Sequence, residues 1–231
     1  TRTVVLAARA TPRRPDRGAG PVLNAHPVPD AAGVGVLALQ GDFREHRLAL
    51  ERLGAKVTEV RLPGDLAGLA GVVIPGGEST TMAKLMLDYG LDAALISYCQ
   101  AGGSLWGTCA GAITLSKDLV GYNGQPHLGL MDLQIVRNDY GRQVASFEAD
   151  LTVDGLDAPF RGLFIRAPRI IAVGPDVEVL ASYQGDVVAA AQGRLMVTVF
   201  HPELVEDDRI HGLFLDRMRE AVAAPGTGVP T

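Results

Sequence analysis

Short apolar runs alternate with stretches of helical periodicity along most of the chain. GVLALQ (residues 35–40) has the composition of a buried strand, and in the DFREHRLALERLG that follows, Phe43, Leu50 and Leu53 lie near one helical face before Gly54. KVTEVRL (56–62) and GVVIP (71–75) are the next predicted strands. This order of strand, helix and strand predicts a parallel sheet with helices on its faces.

The same alternation continues to the C-terminal end. We expect helices over 81–90, with Ser79 or Thr80 as the N-cap and Gly90 as the stop, over Asp92 to Ala101, and near Asp207 to Ala223. Further predicted strands are LQIVR, FEADLTV, GLFIRA, RIIAV, VEVLA, DVVAAA and RLMVTVF. The fold class is therefore α/β, a single three-layer domain with a mostly parallel central sheet flanked by helices.

Residues 1–32 differ from the rest in composition, with five arginines, two acids and five prolines. Such a segment buries little apolar surface, so we expect a disordered or non-native extension, for instance from an upstream start codon. A targeting peptide is less favoured, because serines are few and no amphipathic helix is evident. We predict one domain over 33–224 and a flexible tail over 225–231.

Composition and net charge exclude several classes of function. The net charge of −5 argues against a nucleic-acid or membrane-surface partner, and no apolar run approaches the roughly 20 residues of a membrane span. The two cysteines, Cys99 and Cys109, form no CxxC pair, so neither a zinc site nor a disulfide framework is expected. A small polar substrate or a protein partner in a reducing cytoplasm fits best.

Cys109 is the leading candidate for chemistry. GTCAG (107–111) stands between the predicted strand SLW (104–106) and AITLS (112–116), which can begin a helix. A strand-to-helix turn with glycines on both sides resembles a nucleophile elbow, with Cys in place of Ser. The helix that follows would favour the thiolate. Cys99, within the helical ALISYCQA, is interpreted as a small buried hydrophobe.

A cysteine nucleophile needs a base, and the chain has five histidines. His26 lies in the extension, His46 and His211 lie in helical patterns where a solvated face is expected, and His127 lies in a loop and remains possible. His201 ends the apolar run RLMVTVF and should lie at the carboxyl edge of the sheet, as should Cys109.

Glu203 follows His201 by two residues, with Pro202 between them. An extended chain would place both side chains on one side, with backbones about 6 to 7 Å apart. A carboxylate there could hold one imidazole nitrogen and leave the other facing Cys109. HPE alone is weak evidence for a catalytic His–Glu pair, and the presence of GTCAG at the same edge of the sheet strengthens it.

PGGEST (75–80) follows a predicted strand. Its glycines would let backbone N–H groups approach a ligand and stabilise an oxyanion. A plain loop with a helix cap is the alternative. A phosphate cradle is disfavoured, because the loop lacks the GK[ST] ending of a P-loop.

GTCAG, HPE and PGGEST together resemble the triad-type, class I glutamine amidotransferases. More narrowly, the chain from about Gly33 to Val222 resembles the family of glutaminase subunits of pyridoxal 5'-phosphate synthase. The motifs are LQGDFREH, PGGESTTM, GTCAGAI, RNDYGRQVASFEADL, FIRAP and FHPEL. The resemblance implies hydrolysis of L-glutamine to L-glutamate and ammonia, without cofactor or metal. The ammonia would be channelled to a (β/α)8-barrel synthase subunit, in a hetero-oligomer, for vitamin B6 biosynthesis.

The resemblance also implies residue roles. Cys109 would be the nucleophile, His201 the general base and acid, and Glu203 the orienting carboxylate. Backbone N–H groups of Gly77 and Ala110 would form the oxyanion hole. The implied glutamine-binding residues are Gly77, Glu78, Ser79, Arg137, Ile165 and Arg166. Surface or ion-pair roles for the two arginines remain open.

Two alternatives also remain open. A glutaminase could serve another acceptor, which a neighbouring gene for the synthase barrel would argue against. A non-catalytic interaction module could have kept the fold and lost the chemistry, although the complete set Cys109, His201 and Glu203 argues against such loss.

Overall fold

The computed structural model describes residues 33–121, 124–137 and 146–223. The predicted extension and tail lie outside the described residues, as does part of RNDYGRQVASFEADL. The strands are β1 (Gly33–Leu37), β2 (Val57–Val60), β3 (Leu69–Ile74), β4 (Ser104–Thr108), β5 (Ser116–Val120), β6 (Met131–Val136), β7 (Ser146–Leu151), β8 (Phe160–Ile165), β9 (Arg169–Val173), β10 (Glu178–Tyr183), β11 (Asp186–Gln192) and β12 (Leu195–Thr198). The helices are α1 (Phe43–Arg52), α2 (Ser79–Tyr89), α3 (Leu91–Gln100), α4 (Ala110–Leu115) and α5 (Arg209–Ala223).

The central sheet has two halves. Its strand order is β2-β1-β3-β4-β12-β11-β9-β6-β5, with β10 paired to β11. From β2 to β12 every neighbouring pair is parallel, whereas β12, β11, β9 and β6 pair in antiparallel fashion and β5 runs parallel to β6. β7 and β8 form a separate antiparallel pair. The α/β prediction is confirmed, with a mixed, largely parallel sheet.

The parallel half is buried on both faces, which explains its continuous apolar runs. Every residue of β3, β4 and β12 is buried. Helices α1 and α5 pack against each other and against this half, while α2 packs on α3 and α4. A Cβ at Gly71 would lie 2.9 Å from atoms of Phe214 and Met218, so α5 packs directly on the β3 backbone.

One local expectation was wrong, and one strand was not predicted. Glu78, not Ser79 or Thr80, is the N-cap of α2, because its carboxylate accepts hydrogen bonds from the backbone N–H groups of Thr80 and Thr81. The helix after Cys109 is also short, and β5 begins at once at Ser116, a strand that was not predicted. None of the helices in the described ranges is both long and apolar enough to cross a membrane.

Candidate active site

Cys109 lies, as expected, at the junction between β4 and α4. Its backbone has φ 47° and ψ −102°, a region that non-glycine residues rarely occupy. A Cβ on Gly111 would lie 2.0 Å from the Ile74 carbonyl oxygen, and one on Gly107 would lie 2.4 Å from the Gly111 backbone. The two glycines are needed because the start of α4 packs directly on the neighbouring strands.

His201 reaches the same edge from the neighbouring strand. β12 runs parallel to β4 with Thr198 opposite Thr108, and the Cys109 backbone N–H donates to the Thr198 carbonyl oxygen at 2.8 Å. The His201 ring lies beside Cys109, since a Cβ on Gly76 would approach both side chains. Its Nδ1 lies 2.7 Å from Glu203 Oε1, which leaves Nε2 for the thiol. The structure therefore brings the three residues together.

The expected extended conformation of HPE was wrong. Pro202–Leu204 forms a 3-10 turn, so the Glu203 carboxylate folds back towards the ring of His201. Pro202 favours this turn because its fixed φ suits the first position of a helix.

Burial and pairing set the charge of the triad. Burial alone would lower the pKa of His201, but the hydrogen bonds to Cys109 and Glu203 outweigh it and raise that pKa to about 10. Burial also raises the pKa of the Glu203 carboxyl. Together the two groups hold a proton firmly on the Nδ1–Oε1 hydrogen bond, so His201 is poised as an imidazolium beside Cys109.

The glycine loop lies against the triad. A Cβ on Gly76 would lie 2.5 Å from His201 Cε1 and 3.5 Å from Cys109 Cβ. Gly77 has φ 145°, and a Cβ there would lie 2.4 Å from Gln40 Nε2. The Gln40 side-chain oxygen accepts from the Glu78 backbone N–H at 3.2 Å. Only glycine fits at both positions, and the backbone of the loop can approach a substrate beside Cys109.

Three of the expected substrate-binding residues form one cluster. Arg137 donates to Glu78 Oε1, Thr80 Oγ1 and Gln125 Oε1, each at 2.9 Å. Ser79, which is buried, lies 3.4 Å from Gln125 Oε1. The resemblance did not single out Gln125, and its loop position offers no local signal.

Glu78 is a stable anion in this cluster. Its partial burial would raise its pKa, but hydrogen bonds from the backbone and hydroxyl of Thr81 and from Thr80 lower it to about 2. The carboxylate therefore caps α2 and pairs with Arg137 at the same time.

Ile165 and Arg166 lie at the end of β8, half-buried and exposed respectively. Arg166 has φ 44°, another strained backbone position. β8 reaches the triad segment, because the His201 backbone N–H donates to the Leu163 carbonyl oxygen at 2.8 Å.

The expectation of solvated faces for His46 and His211 was wrong, because both side chains are fully buried. Their rings pack on the indole of Trp106, which β4 presents to α1 and α5. Burial lowers the pKa of His46 well below its usual range and that of His211 to about 4. The burial of His46 could have been predicted from helical spacing, since His46 precedes the core residue Leu50 by one turn and lies on the same face.

Asp42 also lies near the triad, with Oδ2 3.6 Å from His201 Nδ1. Ligand atoms of Asp42, His201 and Glu203 lie within 4.8 Å of one another and could gather round a metal ion. The short hydrogen bond between His201 and Glu203 already occupies two of these atoms, so we assign no metal to them.

An elbow cysteine beside a His–Glu pair, on an α/β sheet, defines a cysteine-dependent hydrolase. Residues 36–220 match the SNO glutamine amidotransferase family, and the chain belongs to this family. It is 55% identical over 186 residues to a Deinococcus radiodurans protein described as pyridoxal 5'-phosphate synthase subunit PdxT, covering 79% of this chain and 95% of that protein. A Thermus thermophilus protein of the same description is 53% identical over 184 residues, covering 79% and 96%.

Two solved structures have folds similar to that of this chain. A crystal structure described as a glutamine amidotransferase has 50% sequence identity and a TM-score of 0.78, covering 80% of this chain and 98% of that one. A putative GMP synthase component from Thermoplasma acidophilum has 19% identity and a TM-score of 0.58, covering 83% and 94%, and shows the shared fold alone.

Proposed function

We propose that this protein hydrolyses L-glutamine to L-glutamate and ammonia and delivers the ammonia to a pyridoxal 5'-phosphate synthase subunit in vitamin B6 biosynthesis. The observation that carries the proposal is the convergence of Cys109, His201 and Glu203 beside the glycine loop. The relatives named as subunits of pyridoxal 5'-phosphate synthase support the choice of acceptor, because this chain covers nearly their whole length.

This geometry supports the following reaction. The Cys109 thiolate attacks the side-chain amide carbon of glutamine, and the backbone N–H groups of Gly77 and Ala110 stabilise the resulting oxyanion. The C–N bond breaks as His201 donates its proton to the departing nitrogen, which leaves as ammonia. His201 then takes a proton from water, which hydrolyses the γ-glutamyl thioester and releases glutamate and the thiol.

Substrate binding uses the cluster around Arg137. Its guanidinium suits the α-carboxylate of glutamine, since arginine forms strong charge-assisted pairs with carboxylates. Glu78 and Ser79 position the glutamine from the start of α2. Ile165 and Arg166 follow Leu163 in β8, whose carbonyl oxygen accepts from the His201 backbone N–H, and backbone strain at Arg166 is typical of a residue held for binding.

The partner is a (β/α)8-barrel synthase subunit that forms a hetero-oligomer with this chain. The names of the relatives support this assignment, since they describe one subunit of a larger synthase. We propose a cytoplasmic location, because both cysteines are free, as is usual for proteins of a reducing compartment.

The test is ammonia release from L-glutamine by this protein alone and after addition of a synthase barrel subunit. The expected result is release that rises strongly with the barrel, together with transfer of amide nitrogen-15 into pyridoxal 5'-phosphate. Ammonia without transfer of the label would contradict the proposed acceptor and favour a glutaminase that serves another enzyme. No ammonia under either condition would contradict the glutaminase itself and favour the interaction module.

A further inference from the structure

A chain of buried polar side chains continues beyond Glu203. The second carboxylate oxygen, Oε2, lies 3.3 Å from His46 Nε2, and both side chains are fully buried. Oε2 meets strict hydrogen-bond geometry with no described residue. His46 Nε2 also lies 3.1 Å from Thr108 Oγ1, one residue before the nucleophile. His46 therefore lies between Glu203 of the triad and Thr108, the residue that precedes the nucleophile.

His211 holds the other side of the His46 ring. His46 Nδ1 lies 3.0 Å from His211 Nε2, across the packed faces of α1 and α5. His211 Nδ1 is buried and has no hydrogen-bond partner among the described residues. Since burial lowers the pKa of both histidines, each ring is neutral near pH 7 and carries one N–H.

These contacts select one arrangement of the two protons. If His211 carried its proton on Nδ1, that buried N–H would have no acceptor among the described residues, whereas a proton on Nε2 lies in the hydrogen bond to His46. His211 therefore carries its proton on Nε2 and donates it to His46 Nδ1. The proton of His46 must then lie on Nε2, which faces the Glu203 carboxylate and Thr108 Oγ1. The opposite arrangement would set a ring lone pair against a carboxylate.

We propose that His46 is a positioning residue for the triad: its Nε2–H, shared with Thr108 Oγ1, holds Glu203 Oε2 so that Oε1 is fixed on His201. His211 acts one step further away by fixing the tautomer of His46. This inference rests on the proposed function. It gives His46 of α1 a part in orienting the catalytic base through Glu203, in the way that outer partners orient ligating or catalytic side chains elsewhere.

The tautomers can be observed directly in the unsubstituted protein. Two-bond nitrogen–proton correlations from nitrogen-15-labelled histidine distinguish an Nε2–H ring from an Nδ1–H ring. Spectra of His46→Gln and His211→Gln assign the two signals. Neutral rings with both protons on Nε2 are expected. A His46 ring protonated on Nδ1, or charged at pH 7, would overturn the proposal, even if the protein released no ammonia.

Kinetics then separate positioning from packing. In His46→Leu the donor is lost, whereas in His46→Gln the amide nitrogen can take the place of Nε2. With the barrel subunit in excess, we expect His46→Leu to lower kcat about 10- to 100-fold with little change in KM, and His46→Gln to recover most of that loss. Equal losses in the two variants, or an unchanged kcat in His46→Leu, would overturn the proposal.

A readout that does not require glutamine hydrolysis keeps the two proposals distinguishable. His201 lies beside the Cys109 thiol, so loosening Glu203 should displace the His201 ring and slow alkylation of Cys109 by iodoacetamide. We expect slower alkylation in His46→Leu than in His46→Gln. Equal rates would contradict the positioning role, whereas a wild-type protein without glutaminase activity would contradict the proposed function.

Discussion

The two halves of the central sheet position side chains in different ways. In the parallel half, β3, β4 and β12 end at one edge, so Gly76, Cys109 and His201 meet there through backbone geometry alone. In the mixed half, the strands from β12 through β11 and β9 to β6 alternate in direction, so their carboxyl ends do not meet at one edge. Arg137, at the end of β6, reaches Glu78 only through its long side chain. The parallel half therefore fixes reacting atoms, and the mixed half extends side chains towards them.

This difference separates two kinds of effect. Substitutions at the parallel edge should lower kcat, because small displacements of the reacting groups are costly. Substitutions on the mixed half should mainly raise KM, since they weaken contacts made equally to the substrate and to the transition state.

The largest effect is expected for the nucleophile. Cys109→Ala should lower ammonia release by at least about 10⁴-fold, because no other group can form the thioester. The circular dichroism spectrum and melting temperature should change little. Cys99→Ala is the matched control and should retain activity, since burial in α3 raises the pKa of that thiol to about 11. Comparable activity in the two variants would contradict the assignment.

The second largest fall in kcat is expected when the orienting carboxylate of Glu203 is removed. Glu203→Gln removes the charge that holds the His201 proton on Nδ1, and kcat should fall about 10² to 10⁴-fold. Steady-state ammonia release at saturating glutamine measures this. A kcat within a few-fold of wild type would show that His201 is oriented by another group, with Asp42 the nearest candidate at 3.6 Å.

A third substitution tests the close approach of the glycine loop. In Gly76→Ala the new methyl group would lie 2.5 Å from His201 Cε1, so the ring must shift and kcat should fall about 10- to 100-fold. Gly64→Ala is the control, because a Cβ there meets nothing within 4 Å. If both variants kept wild-type kcat, the loop would not be held against the triad.

Substitution of Arg137, at the end of β6 in the mixed half, should raise KM for glutamine. Arg137→Lys keeps the charge but loses the planar guanidinium, so KM for glutamine should rise about 10-fold with kcat nearly unchanged. Arg166 follows β8 in the separate β7–β8 pair, outside both halves, and Arg166→Lys should also raise KM because we place it in contact with the substrate and not with the reacting atoms. A fall in kcat as large as that of Gly76→Ala would place Arg137 with the reacting groups and break the division between the halves. Unchanged KM in both variants would leave the arginines as ion-pair residues.

The smallest effect on activity is expected at His211. The effect of this residue should be seen in the pH dependence of the free energy of unfolding. Its pKa is lowered from 6.5 to about 4 by burial, so the unfolded state binds the extra proton. The stability that this supplies is present above pH 6.5 and is lost as the pH falls towards 4. His211→Gln should remove a loss of stability at acid pH on the order of 3 kcal/mol, measured as the difference between the unfolding free energies from urea curves of the two proteins at each pH. Parallel pH dependences would contradict burial of a neutral His211.

The sequence predicted the parallel half well because its signals are local. Apolar runs locate β3, β4 and β12, and the glycines around Cys109 reveal the elbow. The Glu203 turn was missed because HPE alone does not distinguish a 3-10 turn from an extended chain. His46 and His211 were misplaced because their partners lie far away in sequence, and only packing of α1 on α5 brings them together.

The central claim is that Cys109 carries the γ-glutamyl group during hydrolysis. The direct measurement is mass spectrometry of the protein with its synthase partner, quenched in acid during turnover of L-glutamine. One γ-glutamyl group on the peptide that contains Cys109, and none on the peptide that contains Cys99, is the predicted result. Ammonia release with no adduct on Cys109, in a sample where the thioester survives the quench, would contradict the claim.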